Sequence, residues 1–376
     1  MSAPMGVGLI GTGMISDAYL RNLTAFPDVR VVALGDLDEA RAARKAAEYG
    51  VGFAGSAADV LAHPEVELVV NLTIPAAHFS VSHAALAAGK HVWSEKPLGV
   101  DLDEARALLD AAAEAGVRIG VAPDTVLGPG LQTAKRAILR GDIGVPLSAQ
   151  TSMAYIGPDT FHPDPEFLFA RGAGPLIDMG PYYVTALVSV LGPVARVAAV
   201  GGKGRERRRI LVGERAGTEF PVEVPTTVNA LYQFERGATG QSIFSFDSHL
   251  ARTGVVEISG TEGTISIPDP NGFGGDVRIM RSLSASGAPL DADGQAWQTL
   301  PPVGIESGRG LGVLDMARAI REGVPHIATG DLGYHVLEVL TLLEESVARA
   351  SFLDVASTVG DIPLVPEGRD PFARTL

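Results

Sequence analysis

The sequence contains no cysteine among its 376 residues. Disulfides, zinc sites built on thiolates and a cysteine nucleophile are therefore excluded. No apolar run approaches the roughly 18 residues that a membrane-spanning helix needs. The N-terminus carries no basic region ahead of its short apolar stretch. We therefore expect no signal peptide and a cytoplasmic protein.

Positive charge is also scarce, since 30 Lys and Arg stand against 44 Asp and Glu and give a formal net charge of −14. Nucleic acid requires basic patches that neutralise phosphates, so we do not expect it as a partner. The basic cluster at residues 203–209 lies in a turn-like context and is interpreted as a solvated loop. The histidines show no metal-ligand spacing, so we expect no metal site.

The first 120 residues alternate between strand-like and helix-like segments. Strands are predicted at residues 7–10, 29–36, 67–73, 91–94 and 117–122, and helices at 14–25, 38–50, 75–90 and 101–116. Strand and helix alternating with short connections indicate a parallel sheet with helices on both faces. The sequence therefore predicts an α/β domain over residues 1–123.

The pattern changes after Pro123. Strand-like segments follow one another from residue 194 to about 300, separated by turn signals such as TEG and NG. This order favours an antiparallel sheet. Helices are predicted at residues 130–141, 175–191, 310–322 and 333–350. We therefore expect a second, α+β domain with an open and mainly antiparallel sheet over residues 124–376.

A glycine-rich turn joins the first strand to the first helix in the run GLIGTGMIS, residues 8–16. Gly11 permits a tight turn, and Gly13 lets backbone amides approach a pyrophosphate that a Cβ would push away. Met14 and Ile15 begin the helix, whose N-terminus would face the negative charge. Ser16 stands where the dinucleotide fingerprint has a third glycine, and a plain tight turn is the alternative.

Asp36 ends the second predicted strand, about 25 positions after Gly11. A carboxylate there accepts hydrogen bonds from the hydroxyls of an adenine ribose and repels a 2′-phosphate, which favours NAD over NADP. A turn-capping role for Asp36 is the alternative. The nearby Asp38 fits better as the N-cap of the next helix.

Three further segments, NLTIPAAH, AGKHVWSEKPL and GAGPLIDMGPYY, follow in order along the chain. Together with the glycine turn, they resemble the Gfo/Idh/MocA oxidoreductase family over nearly the whole length. The resemblance implies a Rossmann domain, an open antiparallel sheet, and reversible oxidation of a secondary alcohol on a sugar, inositol or related polyol. The family commonly has a histidine four positions after the aspartate. Here Asp178 is followed by Tyr182, which leaves the identity of the proton carrier open.

Positions at strand ends indicate further binding residues, and the resemblance adds His78. Lys96 ends a predicted parallel strand, at the edge where open α/β sheets bind ligands, and its bond to Pro97 is a candidate for the cis form. His78 is expected near the nicotinamide ribose, with local packing as the alternative. Further expected cofactor contacts are Thr73, Pro75 and Glu95, and further expected substrate contacts are Asp124, Thr125 and His162. For His162 the alternative is a solvated loop.

Oxidation of an alcohol by hydride transfer requires that the hydroxyl also lose its proton. Asp178 and Tyr182 share one face of a predicted helix. A phenol with a pKa of about 10 is a weak base at neutral pH, and a nearby ammonium lowers that pKa. We expect Tyr182 as proton acceptor, Lys96 as its partner and Asp178 as a ligand for a neighbouring hydroxyl or for Lys96. The alternatives are Lys96 itself as acceptor, and Tyr183 in place of Tyr182.

These features predict an NAD-dependent dehydrogenase that acts on a pyranose, glycoside or cyclic polyol. An NAD-dependent glycosidase that works through a transient 3-keto sugar is the alternative, and only a dehydrogenase would release net NADH. A regulator without turnover is a third possibility, which the presence of Lys96, Asp178 and Tyr182 argues against. An open sheet exposes one broad face, so we expect a homodimer or homotetramer. We expect no nucleic-acid or membrane partner.

Overall fold

The computed structural model describes residues 3–281 and 297–376. Two compact units make up the chain. The first consists of Met1–Pro129, Gly304–Leu337 and Ile362–Leu376, and the second of Gly130–Val303 and Glu338–Asp361. The domain boundary at residue 123 stays a prediction. Across the residues described, no helix is both long and apolar enough to cross a membrane.

Six strands in the described part of the first unit form a sheet in which every neighbouring pair is parallel. In chain order they are β1 (Met5–Ile10), β2 (Val29–Gly35), β3 (Ala54–Gly55), β4 (Leu68–Asn71), β5 (His91–Ser94) and β6 (Ile119–Val121). Their order across the sheet is β3-β2-β1-β4-β5-β6. This order reverses between β1 and β4, and ligands of such sheets bind there, beyond the carboxyl ends of the strands. β3 was not predicted, because two residues carry no periodic signal.

Helices follow the strands of the first unit and recur later in the chain. They are α1 (Ser16–Leu23), α2 (Glu39–Tyr49), α3 (Ala57–Ala62), α4 (Pro75–Ala87), α5 (Leu102–Ala115), α6 (Pro129–Leu139), α7 (Gly174–Leu191), α8 (Leu311–Glu322) and α9 (Gly330–Arg349). Asp38 caps α2 by accepting the Arg41 N–H at 3.0 Å, as predicted. Gly50 ends the same helix in the left-handed region, with φ 70°.

The described part of the second unit contains a nine-stranded sheet and a two-stranded ribbon. The strands are β7 (Pro146–Ala154), β8 (Val194–Gly202), β9 (Arg207–Arg209), β10 (Glu219–Pro221), β11 (Thr227–Phe234), β12 (Thr239–Ser245), β13 (Arg252–Gly260), β14 (Gly263–Ile267), β15 (Arg278–Arg281), β16 (Gln298–Thr299) and β17 (Leu353–Asp354). The large sheet has the order β16-β15-β14-β13-β7-β12-β11-β8-β17. Its neighbours are antiparallel except β7 and β12, which run parallel. The predicted mainly antiparallel sheet is confirmed, and the parallel pair was not predicted.

One face of the large sheet is covered by α7, which packs against β7, β11 and β12. Gly180 lies in α7, and a Cβ there would come within 2.5 Å of a Leu340 methyl carbon of α9. A side chain at position 180 would therefore require Leu340 to shift, because the two helices approach closely there. The opposite face of the sheet exposes apolar side chains, including Val200, Leu231 and Ile243.

The basic cluster at residues 203–209 is only partly a solvated loop. Its last three residues form β9, which pairs with β10, and Arg208 is 4% exposed. The interpretation was wrong for Arg208, because side chains alternate between the two sides of a strand. Arg207 and Arg209 are exposed, while Arg208 points inward and forms ion pairs with Asp159 and Asp247.

Candidate active site

The glycine turn lies at the carboxyl end of β1 and has two different glycines. Gly11 has φ 99°, and a Cβ on it would lie 2.6 Å from the carbonyl carbon of Leu72. Gly13 differs, because a Cβ there would meet no atom within 4 Å. The protein's own packing therefore requires Gly11 and leaves open space beside Gly13. Open space at the start of a helix fits a pyrophosphate held by backbone amides.

Apolar side chains are exposed beside this turn. Met14 is 82% exposed, and Leu37, which follows Asp36, is fully exposed. Ile15 and Ile74 are also exposed, at the starts of α1 and α4. Such side chains offer apolar contacts to the flat rings of a dinucleotide. Together with the space at Gly13, they fit the expected cofactor.

Asp36 lies just after β2 and is only 7% exposed. One of its carboxylate oxygens accepts the backbone N–H of Thr12 at 2.6 Å and the Thr12 hydroxyl at 2.7 Å. The other accepts the Asp38 N–H at 2.9 Å and the Arg41 guanidinium at 2.6 Å. Burial acts to raise the pKa of Asp36, but these hydrogen bonds outweigh it and lower the pKa. The side chain is therefore an anion fastened to the glycine turn, with a cation beside it.

The loops that follow β4 and β5 are joined by His78. Its Nδ1 lies 2.7 Å from the Pro97 carbonyl oxygen, and its Nε2 lies 3.0 Å from the Thr73 carbonyl oxygen. Burial lowers the pKa of His78, although the two carbonyls act in the opposite direction. Thr73 is held in turn, because its N–H and hydroxyl donate to Asn71 at 3.2 and 2.6 Å. His78 is 1% exposed, so its contacts in this unit are those of a buried link between loops.

Glu95 and Lys96 follow β5 and are both half-buried. Glu95 accepts the Tyr19 hydroxyl at 2.8 Å and the Lys96 backbone N–H at 3.1 Å. Tyr19 is fully buried and accepts the indole N–H of Trp93 at 3.3 Å. The bond from Lys96 to Pro97 is cis, and Pro75 lies exposed at the start of α4. The sequence-predicted residues Gly11, Gly13, Asp36, Thr73, Glu95 and Lys96 thus all follow the carboxyl ends of strands of one sheet.

Asp124 and Thr125 are both buried, in a short helical turn after β6. The Asp124 carboxylate accepts the N–H groups of Gly310 at 2.8 Å and Gly312 at 3.2 Å, and it pairs with Arg309 at 3.4 Å. Burial raises the pKa of Asp124, and Arg309 only partly offsets this. The carboxylate thus fastens the start of α8. Its contact with substrate, like that of Thr125, stays a prediction.

In the second unit, Asp178 and Tyr182 lie one turn apart on α7, as their spacing predicts. Asp178 is half-buried and Tyr182 is 8% exposed. The neighbouring Tyr183 is fully buried, and its hydroxyl accepts the Gly254 N–H at 2.8 Å. His162 is half-buried, and its Nδ1 accepts the Asp164 N–H at 3.0 Å. These placements make Tyr183 part of the core and leave the catalytic roles of Asp178 and Tyr182 as predictions.

Comparison with known proteins decides the family. Residues 5–122 match an oxidoreductase family with an NAD-binding Rossmann fold, described under the name GFO_IDH_MocA. Residues 131–266 match the GFO/IDH/MocA C-terminal domain. The chain belongs to the Gfo/Idh/MocA oxidoreductase family. The fold class, the assignment as an oxidoreductase and the expectation of NAD as cofactor are thereby confirmed.

Individual members of the family are distant in sequence. A trans-1,2-dihydrobenzene-1,2-diol dehydrogenase from Sus scrofa is 27% identical, over 70% of this chain and 74% of its own. A levoglucosan dehydrogenase from Pseudarthrobacter phenanthrenivorans is 26% identical, over 93% of this chain and 98% of its own. The crystal structure of an NAD binding oxidoreductase from Klebsiella pneumoniae superposes with a TM-score of 0.80 at 26% identity, over 94% of this chain and 100% of its own.

Four residues of these sites were missed from the sequence. Thr12 and Arg41 hold Asp36, Tyr19 holds Glu95, and Tyr155 lies near Asp178 in the second unit. Thr12 could have been predicted from the sequence, since it lies between the two glycines of the turn. Tyr19 had none, because its hydroxyl meets a residue that is distant in sequence.

Proposed function

We propose that the protein is an NAD-dependent dehydrogenase that oxidises a secondary alcohol of a pyranose, glycoside or cyclic polyol. The observation that carries the proposal is the alignment with a levoglucosan dehydrogenase, which spans 93% of this chain and 98% of that one. A match of that extent includes the segment with Asp178 and Tyr182. Charged and phenolic side chains suit a carbohydrate, since each sugar hydroxyl needs a partner when it leaves water.

The proposed chemistry assigns one role each to Tyr182, Lys96 and Asp178. NAD, when bound, supplies the acceptor for the hydride. Tyr182 takes the proton of the reacting hydroxyl, and Lys96 favours the phenolate and stabilises negative charge on the alcohol oxygen. Asp178 accepts a hydrogen bond from a neighbouring hydroxyl and so selects substrates that carry one.

Cofactor binding is proposed for the edge of the parallel sheet. Backbone amides beside Gly13 would bind the pyrophosphate, because the turn leaves space there. Asp36 would accept hydrogen bonds from the adenine ribose. The remaining proposed contacts are Gly11, Met14, Ile15, Thr73, Pro75, His78, Glu95 and Lys96.

A substrate panel tests the proposal. The purified protein is incubated with NAD and levoglucosan, glucose, methyl glycosides or inositols, and NADH is followed by absorbance. We expect net NADH with at least one of them and at least a 100-fold loss of kcat in Lys96→Met. A sugar product that forms without net NADH would indicate the glycosidase instead. No turnover with any of these compounds, despite NAD binding, would contradict the proposal.

We also propose that a second copy of the chain covers the exposed face of the large sheet. Leu231 and Ile243 are 48% and 43% exposed on that face, and Phe352 beside them is 55% exposed. Contiguous apolar surface of this kind is typical of interfaces. Light scattering should give at least twice the 39.1 kDa of one chain, and Leu231→Glu should reduce the mass. Val324→Glu, at a similarly exposed position of the first unit, is the control. A wild-type mass of one chain would contradict this assembly.

A further inference from the structure

Tyr155 directly follows β7 and continues its pairing with β12. Its N–H donates to the Ser245 carbonyl at 3.0 Å, and its own carbonyl accepts the Ser248 N–H at 3.1 Å. The half-buried ring packs edge-on against Phe246, with ring centres 5.3 Å apart, and lies stacked with Phe161 at 6.2 Å. The backbone and the ring of Tyr155 are therefore both fixed by the second unit.

The loop that follows Tyr155 is held by the buried guanidinium of Arg208. This group donates to the Ile156 carbonyl at 2.9 Å and forms an ion pair with Asp159. It also donates to the Phe246 carbonyl and pairs with Asp247 at 2.7 Å. Arg208 thus ties the loop to the end of β12, where the ring of Tyr155 rests on Phe246. A buried, multiply bonded arginine gives Tyr155 a rigid support.

The phenol of Tyr155 lies within the electrostatic influence of Asp178. Helix α7 packs against β7, and the strand ends at Ala154, immediately before Tyr155. Burial, followed by the negative charges of Asp178 and Asp159, raises the pKa of Tyr155 well above its usual value. The phenol is therefore protonated at neutral pH and is a hydrogen-bond donor within the electrostatic influence of the Asp178 carboxylate. Phe161, stacked on the same ring, is 63% exposed and extends an aromatic surface to solvent.

We propose that Tyr155 is a substrate-binding residue, whose phenol donates a hydrogen bond to a hydroxyl next to the one bound by Asp178 and whose ring contacts the C–H face of the sugar. Tyrosine combines an apolar ring with one polar atom, which matches the surface of a pyranose. The inference rests on the proposed dehydrogenase function and extends it, since a donor on Tyr155 and an acceptor on Asp178 together select a particular pattern of hydroxyls.

Tyr155→Phe tests this inference, because it removes only the phenolic oxygen. We expect KM for the best sugar to rise about 3- to 10-fold, while the Kd for NAD changes less than about twofold. The matched control is Tyr232→Phe, the same change on β11 beside Gly240 of β12, at the opposite end of that strand from Ser245. Thermal denaturation of both variants checks that they remain folded.

Deoxy sugars give the second readout. In the wild type, removal of the hydroxyl that Tyr155 binds should lower kcat/KM about 10-fold. In Tyr155→Phe, removal of the same sugar hydroxyl should lower kcat/KM less than about threefold, because the phenol that binds this hydroxyl is already absent. If each deoxy sugar lowered kcat/KM equally in the wild type and in Tyr155→Phe, or if KM were unchanged in Tyr155→Phe, the inference would be overturned. The proposed dehydrogenase function would be unaffected by either result. A wild type that oxidises no sugar would overturn both.

Discussion

Tyr182 lies one helical turn beyond Asp178, and its proposed role is to accept the proton of the reacting hydroxyl. Tyr182→Phe keeps the ring and removes the oxygen, so folding and NAD affinity should be retained. We expect kcat to fall at least 100-fold, in line with the contribution of general base catalysis. Steady-state kinetics and a fluorescence titration with NAD measure the two effects.

Tyr183→Phe is the control for that experiment, because it makes the same change at the next position of α7. The Tyr183 hydroxyl accepts the Gly254 N–H, so its loss should lower stability by about 1 kcal/mol and leave kcat within about twofold. A kcat for Tyr182→Phe within about threefold of the wild type would transfer the proton-carrier role to Lys96. A large loss in Tyr183→Phe would transfer it to Tyr183.

Cofactor choice depends at the residue scale on Asp36 and on the cation beside it. The Arg41 guanidinium lies 2.6 Å from the Asp36 carboxylate. In Asp36→Ala the repulsion of a 2′-phosphate disappears. Arg41 loses its partner at 2.6 Å, keeps only Asp38 at 4.0 Å, and becomes available to bind that phosphate. We expect the NADP-to-NAD affinity ratio to rise at least 10-fold in Asp36→Ala and to fall back in the Asp36→Ala/Arg41→Ala double variant, as measured by calorimetric titration.

The ratio is the informative quantity, since Asp36 also accepts two hydrogen bonds from Thr12 and its loss should weaken both cofactors. Asp38→Ala is the control. It removes the N-cap of α2, which costs about 1 kcal/mol of stability, and should leave the ratio unchanged. An unaltered ratio in Asp36→Ala would refute the ribose role of this carboxylate.

At the scale of elements, the two glycines in the turn between β1 and α1 have different roles: Gly11 is needed for packing, and Gly13 leaves space for the cofactor. Gly11→Ala places a Cβ against the backbone of Leu72 at positive φ and should cost about 3 kcal/mol of stability. Gly13→Ala places a Cβ in open space, so the melting temperature should hardly change. We expect NAD affinity to fall at least 10-fold in Gly13→Ala. Wild-type affinity in that variant would show that no pyrophosphate approaches this position.

Apart from β3, the described strands of the first unit were predictable because each carries a continuous apolar run between clear helix signals. The capping residues of α2 were predictable for the same reason, since an N-cap and a C-terminal glycine act within one turn. The parallel pair of β7 and β12 had no such signal. Turn residues predict the pairing of strands that are adjacent in sequence, and these two strands are separated by α7 and by β8, β9, β10 and β11.

The candidate site was predictable to the extent that it depends on strand ends. Polar residues after β1, β2, β4 and β5 meet at one edge, because carboxyl ends of parallel strands share an edge. The burial of Asp124 was not predictable, since its partners Gly310 and Gly312 come from a helix almost two hundred residues later. Arg208 was misjudged because a run of arginines resembles a solvated loop until strand alternation assigns one of them to the interior.

At the scale of the whole molecule, the last residues of the chain return to the first unit and bind the buried Asp28. The carboxylate accepts the N–H groups of Thr375 and Leu376, at 3.0 and 3.1 Å. It also pairs with Arg318 at 2.8 Å, and both side chains are almost wholly inaccessible. Arg318 donates in turn to the carbonyls of Asp370 and Ala373. One carboxylate therefore joins three distant segments of the chain.

Asp28→Asn should consequently destabilise the first unit, because it leaves a buried guanidinium without its counter-charge. We expect a loss of about 3 kcal/mol, or a fall of roughly 5–10 °C in melting temperature. Glu65→Gln, which breaks an exposed pair with Arg30, is the control and should cost less than about 0.5 kcal/mol.

The loss should also depend on pH. Burial acts to raise the pKa of Asp28, but its hydrogen bonds from Leu376, Thr375 and Arg318 outweigh burial and lower that pKa. A carboxylate with a lowered pKa stabilises the folded state above its unfolded pKa of about 4, and this contribution disappears as the pH falls further. The difference in unfolding free energy between wild type and Asp28→Asn should therefore be constant from pH 7 to 5 and shrink below pH 4. Denaturant titrations across that range measure it, and a difference that grows on acidification would show that the carboxylate does not act as the anion that anchors the chain end.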